Sequence, residues 1–470
     1  MPEPAYSKYL AKYAEPEAGF AAQLRQRYGA ALVVPAYAED ASFLADLEPA
    51  LNAARERVLL IVVVNATEGA EPAVHAANQQ LLEALPSRLL LRQELTAGAG
   101  NATAVLGRSG HYDLLLIDRA SPGRRLPLDQ GVGLARRIGL DLALALYARG
   151  GLASAWLGCT DGDARLPHDY FQQNAATPPR GAAGVRRVAL TLPFLHVPGG
   201  QAEVDDATAI YELSLRYYTL GLASAGSPYA YESLGSTIVT LAEAYAEVRG
   251  FPRRQAGEDF YLLDKLAKVG SVHRPAREPI LLRSRTSARV PFGTGARVSE
   301  ILADGGGLTT YHPRVFELLG VTLTALRRAV VARREDVVAA ELSRSLDAGS
   351  SGAVASALDE LQAFEALREM FSASPTSIVR IRRLLTWFDA LRTLRFIHLV
   401  EARAGLSRLP VLAALASAGF CPFWRHEMTE NSVRSAAFSA EQALPGDAGV
   451  ENAVLSLVNA EPEHNASEQK

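Results

Sequence analysis

Val58-Leu-Leu-Ile-Val-Val-Val-Asn65 is a run of seven consecutive apolar residues that ends at an amide side chain. A strand that is covered on both faces has such an unbroken apolar run, whereas a strand with one solvent-exposed face alternates apolar and polar residues. The sequence therefore predicts a buried strand of a parallel sheet at this position. Residues 31–35 (ALVVP) form a second, shorter apolar run, and we expect a loop over residues 36–40 to follow it.

Helical and extended patterns alternate outward from these two runs. Helices are predicted over residues 43–55 and 75–85, and strands over residues 89–92, 114–117 and 153–157. Such alternation is typical of a doubly wound α/β domain with a mainly parallel sheet. Further strands are predicted over residues 185–192 and 236–240, and a helix over residues 262–269. Residues 126–147 are predicted as a loop that leads into an amphipathic helix.

The pattern of apolar residues changes beyond about residue 300. Apolar residues such as Leu319, Leu323 and Leu326 recur there at helical spacing, which predicts an all-helical domain. The last stretch is polar and poor in aromatic residues, as flexible chains are. The predicted organisation is an N-terminal arm (1–28), an α/β domain (29–300), a helical domain (301–426) and a flexible tail (427–470).

Composition excludes several classes of protein. The chain has 470 residues and a formal net charge of −3, which argues against a nucleic-acid partner. Its two cysteines, Cys159 and Cys421, form no CxxC pair, so a disulfide framework is not expected and a reducing compartment fits. The N-terminus lacks the apolar core of a signal peptide, and no run approaches 18 uncharged apolar residues. We therefore expect a soluble, cytoplasmic protein without a transmembrane segment.

The segment Thr160-Asp161-Gly162-Asp163-Ala164 directly follows the strand predicted over residues 153–157. Ligands of open α/β sheets bind beyond the carboxyl ends of the strands. Two carboxylates one residue apart at such an end suit Mg²⁺ or Mn²⁺, with diphosphate oxygens completing the shell. The cation would then neutralise a departing nucleoside diphosphate. The alternative is a simple turn, because aspartate and glycine favour turns.

A second pair of acids follows a glycine in Gly250-Phe-Pro-Arg-Arg-Gln-Ala-Gly-Glu258-Asp259. Acids at the start of a helix are favoured by the helix dipole, so a capping role explains them by itself. A carboxylate at this position also suits a general base that takes the proton of an acceptor hydroxyl. Both interpretations stay open at this point.

Four segments in this order resemble glycosyltransferase family 2, the large inverting family with the GT-A fold. Residues 33–40 (VVPAYAED) resemble its opening VxPxYNE strand and loop, and residues 131–139 (GVGLARRIG) its GxxxARNxG helix start. Residues 160–164 (TDGDA) are similar to its DxD strand end, and residues 243–259 (EAYAEVRGFPRRQAGED) to its GGF…GED segment. The resemblance covers roughly residues 29–290.

The resemblance implies a GT-A-type nucleotide-diphospho-sugar transferase fold and a metal-dependent, inverting, hexosyltransferase-like enzyme. Such an enzyme moves a sugar from a nucleoside diphosphate sugar donor to an acceptor hydroxyl. Pro35, Tyr37 and Glu39 would lie beside the donor nucleotide, and Arg136 near its phosphates. Asn65 stands where the family usually has an aspartate that reads the base, which leaves the nucleotide open.

The remaining carried-over roles concern the metal and the chemistry. Asp161 and Asp163 would hold Mg²⁺ or Mn²⁺, with Asp161 also beside the donor, and His273 is a candidate third metal ligand. Asp259 would be the catalytic base, with Glu258 beside it. The QxxRW motif of the processive polysaccharide synthases is absent, which favours transfer of a single sugar.

Arginines are frequent after the last predicted strand, around residues 291–295 (PFGTG): Arg283, Arg285, Arg289 and Arg297. Guanidinium groups and glycine amides suit a diphosphate or an anionic acceptor. A solvated loop explains the same composition equally well.

Two other functions remain as alternatives. One is a non-catalytic module that keeps the GT-A fold and binds a nucleotide sugar without turnover. The other is a sugar nucleotidyltransferase, which shares the sheet, but such enzymes open with a GxGTRxxP-type loop where this chain has VVPAYAED. The sugar, the base and the acceptor are left open, and the helical domain is a possible site of homo-oligomer formation.

Overall fold

A computed structural model describes residues 4–97, 102–181, 184–286, 294–305, 307–373, 376–421 and 439–460. The chain divides into two compact units. Unit 1 comprises residues 1–205, 233–266 and 273–300, and unit 2 comprises residues 206–232, 267–272 and 301–470. Two short stretches that we predicted within the α/β domain, residues 206–232 and 267–272, therefore cluster with the C-terminal part of the chain instead.

Unit 1 contains a mixed, mainly parallel sheet. The strands of this sheet that belong to unit 1 have the order β8-β10-β6-β1-β2-β5-β4-β3. Strands β6, β1, β2 and β5 are mutually parallel, whereas β10 and β4 run antiparallel to their neighbours. The strands are β1 (Ala30–Ala36), β2 (Val58–Asn65), β3 (Leu90–Ala97), β4 (Ala102–Ser109), β5 (Tyr112–Arg119), β6 (Trp156–Cys159), β8 (Arg187–Thr191) and β10 (Ile238–Leu241).

The central strand β2 has the burial that its sequence predicts. All eight of its residues are buried, because β1 and β5 flank it in the sheet and helices cover its faces. Unbroken apolar runs are typical of strands in this position. The α/β class and the mainly parallel sheet are thus as predicted from the sequence.

Three further strands of unit 1 form a small second sheet: β7 (Ala164–Arg165), β9 (Phe194–Val197) and β12 (Ile280–Arg283). Strand β12 pairs antiparallel with β7, placing Leu282 opposite Ala164. The segment after β12 is therefore held close to residues 160–164. The helices that lie wholly in unit 1 are α1 (Ala5–Lys12), α2 (Leu44–Ala53), α3 (Pro72–Ser87), α4 (Val132–Ala148), α5 (Tyr170–Ala176) and α7 (Ala242–Glu247). Most residues of α8 (Glu258–Ala267) and α9 (Thr294–Ala303) also belong to unit 1, whereas most of α6 (Ala202–Ser224) belongs to unit 2.

Unit 2 is mainly helical. Leu319, Leu323 and Leu326 lie on one face of α10 and are at most 1% exposed, as their spacing predicts. No helix in the described ranges is both long and apolar enough to span a membrane. The remaining elements are β11 (Ser271–His273), β13 (Thr309–Thr310), α10 (Arg314–Ala332), α11 (Asp336–Ser345), α12 (Ala348–Glu360), α13 (Ala363–Ala373), α14 (Ser377–Trp387), α15 (Ala390–Arg403), β14 (Leu409–Pro410), α16 (Val411–Ser417), β15 (Asp447–Ala448) and α17 (Val450–Ala460).

The predicted N-terminal arm and the predicted flexible tail both contain buried residues. Within the predicted N-terminal arm, Tyr9 is 2% exposed and Phe20 is fully buried. Within the predicted tail, Val450 is fully buried and Val454 is 4% exposed in α17. The polar composition of each segment concealed a few apolar residues that become buried; in the tail, Val450 and Val454 lie one turn apart on α17. The rest of the tail, residues 427–438 and 461–470, lies outside the described residues.

Candidate functional site

The predicted motifs meet at the carboxyl edge of the parallel strands of unit 1. Strands β1, β2 and β6 end at this edge, at Ala36, Asn65 and Cys159. The backbone N–H of Thr160 donates to Val33 O at 3.0 Å, which continues the pairing of β6 with β1 by one residue. Asp161 is therefore the first residue beyond the sheet, where open α/β sheets bind ligands.

Arg136, in the first turns of α4, joins three of the predicted motifs. Its side chain is 4% exposed and donates from Nη2 to Asp161 Oδ1 at 2.7 Å and from Nε to Glu258 Oε1 at 3.0 Å. Its Nη1 contacts Cys159 Sγ and the carbonyl oxygen of Gly235, both at 3.1 Å. Burial alone lowers the pKa of Arg136, but Asp161, Cys159 and Glu258 raise it well above its ordinary value. The guanidinium stays charged and fixes both carboxylates.

Glycines allow α4 to approach its neighbours this closely. A Cβ on Gly235 would lie 2.3 Å from Arg136 Nη2, and one on Gly133 would lie 2.9 Å from Glu258 Cβ. Farther along α4, a Cβ on Gly139 would lie 2.3 Å from Val33 Cγ1 on strand β1. A side chain at any of these three positions would clash with a neighbour, and two of the three, Gly133 and Gly139, lie in the glycine-rich segment 131–139.

Glu258 and Asp259 open helix α8 but differ in exposure. Glu258 is 4% exposed, and burial, with the charge of Asp259, raises its pKa to about 7 despite the contact with Arg136. Asp259 is half-buried and accepts a hydrogen bond from its neighbour's backbone N–H, Phe260 N, at 2.7 Å. Burial also raises the pKa of Asp259. Of these two adjacent acids, Asp259 has the greater access to solvent.

Arg137, next to Arg136 on α4, holds the segment that leads to these acids. Its Nη1 donates to the carbonyl oxygens of Arg249 and Phe251, each at 2.9 Å. Its Nη2 donates to the carbonyl oxygen of Tyr13. Adjacent arginines on one helix therefore position both the Glu258 carboxylate and the chain before it.

Asp141, one turn farther along α4, is fully buried. It accepts hydrogen bonds from Tyr9 Oη at 2.7 Å, Tyr245 Oη at 2.9 Å and the backbone N–H of Glu15 at 2.8 Å. Burial raises the pKa of Asp141 to about 6. Residues 5–15 are thus attached to the helix that carries Arg136.

A second arginine meets the other carboxylate of the DGD segment. Arg285, two residues after β12, donates from Nε to Asp163 Oδ2 at 2.7 Å, and its Nη2 lies 2.7 Å from the same oxygen. Its Nη2 also lies 3.8 Å from Glu39 Oε1. Glu39 packs against the backbone of Gly162, where a Cβ would lie 3.2 Å from Glu39 Cδ. The loop after β1, the DGD segment and the segment after β12 therefore converge.

The side chain of Asn65 has a structural role at this edge of the sheet. Its side chain is buried, and its Nδ2 donates to Ala36 O at 3.0 Å and to Val63 O at 3.1 Å. The amide therefore joins the ends of β1 and β2, and a contact of Asn65 with a donor base stays a prediction. Of the other predicted donor residues, Pro35 is buried within β1 and Tyr37 is half-exposed beyond its end.

Some residues of this edge were not predicted. Asn78 of α3 accepts the N–H of Ala38 at 2.8 Å and donates to Asn65 O at 2.9 Å, holding Ala38 at φ 53°. Ser236 Oγ donates to Asp161 Oδ2 at 2.6 Å. No motif marks either residue in the sequence, since their roles arise only from packing. Arg285 belonged to the predicted arginine group, whose member Arg289 lies outside the described residues.

The donor set of Asp161 and Asp163 is chemically suited to a hard divalent cation. Magnesium is commonly held by one or two carboxylates together with phosphate oxygens and water. Among the described residues, no three His, Cys, Asp or Glu side chains are grouped as metal ligands. The structure therefore does not bring His273 to the two aspartates as a third ligand, and a cation here would depend on phosphate and water for the rest of its shell.

Comparisons with known proteins identify no family for this chain. No protein-family model matches it, and no curated protein matches it. Among solved structures, a mannosyltransferase, PcManGT from Pyrobaculum calidifontis in complex with GDP-Man and Mn²⁺, is similar over 83% of this chain and 92% of its own, with 16% identity and a TM-score of 0.31. A similarity of this size supports no statement about substrate or mechanism.

Proposed function

We propose that this chain is a glycosyltransferase that moves a sugar from a nucleoside diphosphate sugar to an acceptor hydroxyl. The observation that carries the proposal is the double contact of buried Arg136, which joins Asp161 of the DGD segment to Glu258 of the second acidic pair. Sugar transfer needs an anion-binding centre for the leaving diphosphate and a base for the acceptor. The two motifs that suit these tasks lie on either side of one guanidinium.

Asp161 and Asp163 are the residues that would hold the cation. When bound, Mg²⁺ or Mn²⁺ would stabilise the negative charge that develops on the departing diphosphate. Arg136 is too buried to be a primary contact of the phosphates. We therefore assign it a positioning role, in which it fixes the carboxylates of Asp161 and Glu258.

Asp259 is the residue that we propose as the catalytic base. Its access to solvent exceeds that of Glu258, whose carboxylate is engaged by Arg136. A raised pKa brings Asp259 closer to the pH at which a base is most effective. Direct displacement by the activated hydroxyl would invert the anomeric centre of the sugar.

The test compares Asp259→Asn with Glu258→Gln in transfer assays against a panel of nucleoside diphosphate sugars and hydroxyl acceptors. Asp259→Asn should lower kcat by roughly two to four orders of magnitude while donor affinity stays within about twofold. The wild-type kcat/KM should rise with pH through the titration of the acidic pair, because the base has to lose its proton first.

Several results would contradict these assignments. A product with retained anomeric configuration, or near-normal turnover by Asp259→Asn, would rule out Asp259 as the base of a direct displacement. Specific donor binding without turnover, by a wild-type protein tested against many acceptors, would instead favour the non-catalytic binding module. Glu258→Gln should disturb the contact with Arg136 and so affect stability as well as rate.

A further inference from the structure

We propose that Arg285 is a ligand of the donor diphosphate that, in the absence of donor, covers Asp163 and competes there with the divalent cation. The inference rests on the proposed function and adds a residue to it. It makes Arg285 the group that couples cation binding to nucleotide binding.

The ion pair of Arg285 with Asp163 has short distances, but both side chains are partly exposed to solvent. Two guanidinium nitrogens lie 2.7 Å from one carboxylate oxygen, and the side chains are 32% and 24% exposed. The corresponding exposure of Arg136 is 4%. Exposed ion pairs contribute little net stability, since water solvates the separated charges well. Arg285 can therefore exchange partners at small cost, whereas Arg136 cannot.

The charges around Arg285 favour such an exchange. The carboxylates of Glu39, Asp161 and Asp163 lie at this edge, and Arg285 lies 3.8 Å from that of Glu39 and 2.7 Å from that of Asp163. A divalent cation that bound Asp163 with Arg285 in place would be repelled by the guanidinium at short range. A diphosphate offers the planar fork of an arginine an equivalent pair of anionic oxygens. The donor would thus bring both the ligands for the cation and a new partner for Arg285.

The backbone keeps Arg285 within reach of either partner. Strand β12 pairs with β7 directly after the DGD segment, and Arg283 N lies 3.4 Å from Asp163 O. Arg285 follows this anchored strand by two residues. Its displacement from Asp163 therefore needs a change of side-chain rotamer and no rearrangement of the sheet.

The experiment measures two affinities of the Arg285→Gln protein by titration calorimetry: that of Mn²⁺ alone, and those of ADP, GDP, UDP and CDP in saturating Mn²⁺. Arg283→Gln is the matched control, because Arg283 is 65% exposed on the same segment and lies 3.9 Å from Asp46 instead. Arg285→Gln should bind Mn²⁺ alone several-fold more tightly. It should bind the preferred nucleoside diphosphate roughly tenfold or more weakly, because a charge-assisted hydrogen bond is lost. The control should stay within about twofold of the wild type in both.

The result that supports the proposal is that Arg285→Gln binds Mn²⁺ alone more tightly and the nucleoside diphosphate more weakly. A purely structural arginine would weaken both affinities, and Mn²⁺ binding that is unchanged or weaker in Arg285→Gln overturns the competition. Tighter Mn²⁺ binding with unchanged nucleotide affinity overturns the role in diphosphate binding. If the wild type binds none of the four nucleotides, the proposed function fails and the diphosphate role with it, while the Mn²⁺ titration still decides the competition.

Discussion

Arg136→Lys is the substitution that most directly probes the arrangement of the site. Lysine keeps the positive charge but replaces a planar fork with a single ammonium group. Arg136 contacts Asp161, Glu258, Gly235 O and Cys159 Sγ from three nitrogens that point in different directions. An ammonium group reaches one of the two carboxylates and leaves the other without its partner.

The size of the effect follows from these contacts. Loss of a hydrogen bond to a charged group costs about 1.5–3 kcal/mol, and loss of a neutral one about 1 kcal/mol. At 4% exposure, Arg136 has almost no solvent to replace what is lost. We therefore expect Arg136→Lys to lower the free energy of unfolding by about 2–4 kcal/mol, together with a loss of activity.

The assay is equilibrium unfolding in urea, followed by circular dichroism and tryptophan fluorescence. Arg283→Lys is the control, because that side chain is 65% exposed and its replacement should change stability by less than about 0.5 kcal/mol. If Arg136→Lys were as stable as the control and bound donor like the wild type, the assignment of Arg136 as the positioning residue of the site would be wrong.

Three further predictions follow from the packing. Gly235→Ala should destabilise the chain and lower activity without adding or removing a charge, because the new Cβ would lie 2.3 Å from Arg136 Nη2; unfolding and transfer assays measure both. Asp141 has a folded pKa of about 6, above its unfolded value of about 3.9, so its burial should cost roughly 3 kcal/mol of stability in total, lost progressively as the pH rises from about 3 to about 7. Asp141→Asn should flatten that part of a stability–pH profile. Truncation after Arg425 should lower the melting temperature, because it removes the buried Val450 and Val454, each worth about 1.5–3 kcal/mol; an unchanged melting temperature would instead support a flexible tail that does not contribute to folding.

The sequence predicts those elements whose burial produces an unbroken or periodic apolar pattern. Strand β2 is an example, since all eight of its residues are buried. Strand β4 was not predicted, because it is antiparallel to both neighbours and carries no continuous apolar run. Helix α6 was also missed. Its buried residues include Glu212 and Arg216, which pair at 2.6 Å, so ion pairs take the place of apolar residues within its buried surface.

The candidate site was predictable only in part for a related reason. Motifs at strand and helix ends identify Asp161, Glu258 and Asp259 from local sequence. The contacts that connect them depend on residues far apart in the chain. Arg285, for example, reaches Asp163 across 122 positions, and does so because β12 pairs with β7. No local pattern contains that pairing.

The most direct test of the proposed function is the binding of nucleoside diphosphate sugars in Mn²⁺ and in EDTA, measured by thermal shift for the wild type and for Asp163→Ala. Ligands that bind the folded state raise the melting temperature by mass action. We predict that at least one nucleotide sugar stabilises the wild type in Mn²⁺, that EDTA abolishes this shift, and that Asp163→Ala, although folded, does not show it. Equal shifts in Mn²⁺ and EDTA would contradict the role of the cation, and no shift with any nucleotide sugar would contradict the proposed function.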